Sequence, residues 1–217
     1  MSRTAIPTYT TSQVIDASHA NTYWADNEAA HWSAISALAG SFELIEKITL
    51  PSAAQFRFLD IPQTYRHLRL YWHTRHNSPY PGRVTMYLRF NEFGGTGGGT
   101  YDTTFIHARE TGEVLHQADW THLLFGFTPS VAYSSSYWAN GFMTIYDYAT
   151  TVKKNRVMTM FNACKYGTTS YEIDIEKGVS IWSGASEIVT MTMRTYDDIY
   201  SGVDFVAGST MWLYGLL

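Results

Sequence analysis

Eight histidines, nineteen carboxylates and a single cysteine make up the chain's stock of reactive groups. His73 and His76 stand three residues apart, a spacing that metal sites can use across a turn. On an extended strand the same spacing sends the two rings to opposite faces, so ordinary surface histidines are expected. His107, His116 and His122 are scattered among strand-like residues. His31 sits on a helical pattern, where a symmetric oligomer could gather one ring per subunit. Glu172, Asp174 and Glu176 alternate with Tyr171, Ile173 and Ile175, which reads as the polar face of a strand. Asp197-Asp198, beside Tyr196 and Tyr200, is the better loop for Ca²⁺ ligation, and the same carboxylates could serve as a glycosidase pair.

Other chemistries fail on detail. The glycine loop at residues 94–99 is followed by Thr100, with no lysine and no helical pattern. A phosphate cradle needs amides aimed from a helix start, so a hairpin tip is the reading. No Gly-x-Ser-x-Gly occurs, and Gly184-Ala185-Ser186 lacks the flanking pattern of a nucleophile elbow. Cys164 lies in an alternating apolar run and is expected to be a packed thiol. No catalytic residue, metal or cofactor is therefore assigned. The most suggestive binding feature is Tyr133-Ser134-Ser135-Ser136-Tyr137-Trp138. Tyrosine and tryptophan among serines suit a glycan or a protein partner. The alternative is that Trp138 opens a strand and packs inward.

The elements that would position these groups are mostly strands. In Tyr65-Arg66-His67-Leu68-Arg69-Leu70-Tyr71-Trp72-His73, Leu68, Leu70 and Trp72 fall on one side and His67, Arg69, Tyr71 and His73 on the other. Val84, Met86, Leu88 and Phe90 repeat the pattern. Strand-like segments are expected at residues 42–50, 54–61, 65–74, 83–91, 101–109, 115–127, 138–148, 156–165, 170–175, 187–196 and 208–217. Short strands separated by Gly, Pro, Asn and Ser turns predict a mainly β fold, an antiparallel β-sandwich of jelly-roll type. The expected core comprises Leu68, Leu70 and Trp72; Val84, Met86 and Leu88; Val189, Met191 and Met193; and Met211 and Leu213. Before this body (41–217) comes an attachment and oligomerisation region (1–40). It reads as an extended arm and then one helix over residues 16–40, capped by Asp16 or Ser18 and stopped by Gly40. Trp24, His31, Ile35 and Leu38 make its apolar stripe.

Composition narrows the function. Net charge is −4 and no basic run occurs, so no nucleic-acid footprint is expected. One cysteine excludes an internal disulfide framework. No apolar run approaches a membrane span, and the N-terminus lacks the core of a signal peptide. A soluble protein made in a cytoplasm, without a membrane partner, is the expectation. Aromatic residues reach 16% of the chain and charged residues also only 16%, which supplies contact surface for partners.

Two stretches carry a resemblance. Tyr9-Thr10-Thr11-Ser12-Gln13-Val14, then Ala17-Ser18, Asn21 and Trp24-Ala25-Asp26-Asn27, resemble the opening of many tailed-bacteriophage structural proteins. Ser12-Gln13 stands where many of those have glycine and glutamate. The second stretch is the body. Phe42-Glu43-Leu44-Ile45-Glu46-Lys47-Ile48, Tyr87-Leu88-Arg89-Phe90-Asn91, Ile145-Tyr146-Asp147-Tyr148-Ala149 and Gly208-Ser209-Thr210-Met211-Trp212-Leu213-Tyr214 look like a β-rich phage module of tail-fibre, head-fibre or capsid-decoration type. The resemblance implies a jelly-roll-like body, often trimeric, without catalytic residues. It further implies a virion structural protein. The expected role is to decorate or cement the outside of the head, with the major capsid protein or other virion proteins as partners. The competing location is a tail fibre or baseplate adhesin that binds host surface glycan. The contact candidates are Tyr9 and Val14 in the arm, Trp24, His31 and Ile35 on the helix, and Tyr133, Tyr137 and Trp138 in the aromatic loop.

Overall fold

Alternation of apolar and polar side chains is what the body is built from, and the pairing of its strands follows. The structure is a computed structural model that describes residues 42–78, 82–91, 101–108, 113–132, 137–150, 156–165, 173–184, 186–196 and 203–217. The expected arm and helix at 1–40 lie outside these residues, as do the glycine loop and Asp197-Asp198.

The described strands are β1 (Phe42–Thr49), β2 (Phe56–Phe58), β3 (His67–Thr74), β4 (Arg83–Phe90), β5 (Tyr101–Ala108), β6 (Glu113–Trp120), β7 (Leu123–Pro129), β8 (Ala139–Ile145), β9 (Arg156–Lys165), β10 (Ile173–Trp182), β11 (Met191–Tyr196) and β12 (Thr210–Leu216). They form two antiparallel sheets. One has eight strands in the order β1-β12-β3-β8-β9-β10-β5-β6, the other four in the order β2-β11-β4-β7. No helix occurs among the described residues.

One core joins the facing sheets. Leu68, Leu70 and Trp72 of β3, Met143 and Ile145 of β8, and Met211 and Leu213 of β12 point inward from the larger sheet. Met86, Leu88, Phe125, Met191 and Met193 answer from the smaller one. The Trp72 and Phe125 rings meet edge to face with centroids 5.0 Å apart. Gly141 makes room for Trp72, because a β-carbon there would lie 2.3 Å from the indole. Val84 is buried as expected. Val189 is not: it precedes β11, stands 41% exposed, and its N–H is held by Asn91 Oδ1 at 2.9 Å.

The expected strands 138–148 and 187–196 shorten to β8 and β11, and three others change more. The run 115–127 is two strands, β6 in the larger sheet and β7 in the smaller, broken at Thr121-His122. A single straight strand cannot belong to both sheets. The segment 54–61 shortens to β2, and Asp60 ends it with φ 49°. The segment 170–175 becomes the ten-residue β10, which starts at Ile173 and runs to Trp182.

Candidate interaction surface

β10 is turned the opposite way from the sequence expectation. Glu176, read as part of a polar outer face, is only 2% exposed, and Ser180 and Trp182 are buried beside it. Ile175, Val179 and Ile181 are 42%, 49% and 37% exposed. The reason is Trp182. It is the largest apolar side chain of the strand and lies on the parity of Glu176, so burying it drives the isoleucines and valine outward. Trp182 packs on Phe90 at 5.1 Å between centroids and stacks with Tyr101 at 6.4 Å.

The polar groups carried inward are held by hydrogen bonds. Trp72 Nε1 donates to Asn162 Oδ1 at 2.9 Å. Asn162 Nδ2 donates to Glu176 Oε2 at 3.0 Å and to the Phe127 carbonyl at 3.1 Å. The Phe127 N–H donates to Glu176 Oε2 at 3.1 Å, so one carboxylate ties the two sheets together. Ser180 Oγ donates to Thr103 Oγ1 at 2.7 Å. Cys164 is buried nearby, and burial with the Glu176 charge pushes its thiol well above the usual range. It is the packed thiol that the alternation predicts.

The outward side of the larger sheet is consequently poor in charge and rich in large apolar groups. Register places Lys47, Trp212, Tyr71, Phe142, Phe161 and Lys177 in one row across six adjacent strands, and Ile106 of β5 follows. Tyr71 meets Phe142 at 6.0 Å and Tyr214 at 5.7 Å, and Phe142 stacks on Phe161 at 5.8 Å. The Arg69 guanidinium lies 4.3 Å over Phe142 and donates to Thr144 Oγ1 at 2.9 Å. Lys47 lies 5.6 Å over Trp212. Around Lys177, the aliphatic side chains Ile106, Val157, Ile175, Val179 and Ile181 stand exposed on β5, β9 and β10.

The contact residues expected from sequence fall as follows. Tyr9, Val14, Trp24, His31, Ile35 and Tyr133 lie outside the described residues. Tyr137 and Trp138 are half-buried. The Trp138 ring is held by His73, edge to face at 4.4 Å, and by the Arg75 guanidinium at 5.0 Å. Trp138 therefore neither packs into the core nor stands free; it closes one end of the outer face. His73 belongs to that face, and burial lowers its pKa below the usual value. His76 is buried elsewhere, accepting from the Ser78 N–H through Nδ1 at 3.1 Å, so the two rings do not converge. His122 is half-buried beside Tyr87, with rings 4.9 Å apart. Among the described residues no group of three or more His, Cys, Asp and Glu side chains is placed to hold a metal ion.

The aliphatic patch on β9, β10 and β5 was not anticipated. The available signal was Trp182 sharing a parity with Glu176 and Ser180. No protein-family model, curated protein or solved structure matches the chain.

Proposed function

We propose that the chain is a non-enzymatic structural component of a tailed-phage virion, attached to the outside of the head as a decoration or cement protein. The observation that carries this reading is the outer face of the eight-stranded sheet. Soluble monomers rarely gather so many large apolar side chains on one outer sheet face, and such a face fits a protein that works within an assembly. Its aromatic residues and few charges match the composition of interface cores.

We infer a jelly roll for the body, on the strength of its strand order. β1-β12-β3-β8 and β2-β11-β4-β7 are the two facing quartets of such a fold, with the chain crossing between sheets at every step from β1 to β5, from β6 to β8 and from β10 to β12. The pairs β5–β6 and β9–β10 are then insertions. They bond to each other through β5 and β10 and widen one quartet into an eight-stranded sheet. The aliphatic patch lies on this added wing.

The test is cryo-electron imaging of purified particles that carry a tagged copy of the chain. Regular density over the head is expected. Density confined to the tail tip would replace the decoration reading with host adhesion, and particles without label would overturn both.

A further inference from the structure

Among the described residues nothing covers the wing: Ile106 is 57% and Val179 49% exposed. We propose that the outer face of the eight-stranded sheet is a self-association surface, on which the same face of a second copy packs about a two-fold axis. The inference rests on reading this face as an assembly surface, and it names the partner.

Size favours a second copy. Eight strands at about 4.8 Å spacing and about eight residues at 3.3 Å give a face of roughly 34 by 26 Å. That is about 900 Å², against the roughly 800 Å² per partner of a stable protein interface. The wing alone, about half as wide, falls short, so an occupant must span the whole face. An identical sheet does so. Two copies share one twist and therefore stack with their strands within about 30° of each other.

Ring orientation argues against a glycan. A sugar needs a ring face turned to solvent. Here Phe142 and Phe161 stack on each other, Tyr214 stands at 87° to Tyr71, and Arg69 covers Phe142. The faces of Phe142 and Phe161 are thus taken up by each other and by Arg69. The face carries Lys47, Arg69 and Lys177 against Asp102, a small net positive charge that closure must accommodate. Arg69 and Lys47 lie along aromatic rings, and Asp102 and Lys177 stand on the wing.

Symmetry follows from the face. An isologous two-fold buries a sheet face wholly against its equal, whereas three copies about an axis meet only along parts of theirs. The structure thus points to assemblies of two, in place of the trimer that the resemblance implies.

The test is sedimentation and light scattering of the full chain over a range of concentration. The expected particle has twice the 24.6 kDa chain mass. Val179→Lys and Ile106→Lys should each weaken association by at least ~30-fold, the scale of an interface hot spot. Leu59→Lys, at an exposed site after β2 in the other sheet, should leave it unchanged. Far-UV circular dichroism and denaturation midpoints should match across all variants. Amine labelling of Lys177 should fall as the dimer forms. A monomer whose Lys177 stays protected would mean that residues 1–40 cover the face, and would overturn the proposal. A monomer with reactive Lys177, or a trimer indifferent to Val179→Lys, would also overturn it. A chain that joins particles but sediments as a monomer would sink this inference and leave the virion reading standing; a dimer absent from particles would do the reverse.

Discussion

Glu176 and Asn162 are register partners on β10 and β9, and their side chains meet inside the body at 3.0 Å. The pair links the larger sheet to the Phe127 backbone of the smaller one. A buried polar network is costly to break and weak evidence of stability as a whole, because removing one member strands the others. Asn162→Leu removes the acceptor of Trp72 Nε1–H and a donor to Glu176. It should cost about 3 kcal/mol in chemical denaturation. Glu176→Gln keeps an acceptor for the Phe127 N–H and should cost about 1 kcal/mol. Equal losses would mean that the carboxylate charge itself holds the sheets.

The inverted parity of β10 has a direct check. Val179→Thr should change stability by less than about 0.5 kcal/mol, since it alters an exposed position. Ser180→Val should cost about 1–3 kcal/mol by removing the Thr103 partner and crowding the core. On β3 the parity runs as the alternation predicts, so Leu70→Asp should unfold the body. The reverse order for Val179 and Ser180 would place the wing's aliphatic patch inside.

Cys164 gives a reporter of core opening. Burial and then the Glu176 charge keep its thiol protonated. Native protein at pH 8 should react with a disulfide reagent at least ~100-fold more slowly than unfolded chain, where the thiol has its ordinary pKa near 8.5. Fast native labelling would mean that β9 and β10 open on the time scale of the assay.

Acid should destabilise the body through His73 and His122. Burial depresses both, and Arg89 adds to the depression at His122. The unfolded chain then binds more protons than the fold once pH drops below about 6.5. Their contribution is fully present above that pH and is lost as pH falls through the depressed folded values. The melting temperature should decline from pH 7 to pH 5, and His122→Asn should flatten the decline. An unchanged slope would assign the acid sensitivity to carboxylates.

Much of the body was legible because its central strands obey one rule. β3 alternates throughout, β4 and β12 depart from alternation only at buried Tyr87 and Thr210, and Leu70, Met86 and Leu213 are all buried. β10 broke the reading because both of its faces carry apolar residues. Alternation separates the two faces but does not say which is inside. The choice fell to Trp182 and to the bonds waiting at Asn162, and those partners come from distant parts of the sequence. For the same reason the pairing of β5 with β10 could not be read locally. Trp138 was half legible. Its aromatic character marked a contact, yet the contact proves to be His73 and Arg75 of the same chain.

β1 and β12 bring the two ends of the body side by side, with Phe42 opposite Leu216 and Arg66 N–H holding the Leu216 carbonyl. A load applied between residue 41 and residue 217 would pull these antiparallel partners apart from their shared end. Hydrogen bonds would then fail one after another, as in a zipper, instead of sharing the force as strands in shear do. The β1 seam is the mechanically soft point of the sheet. Single-molecule stretching from these two positions should register β1 peeling off at low force before the core around Trp72 yields; one high-force rupture would show that the seam is clamped.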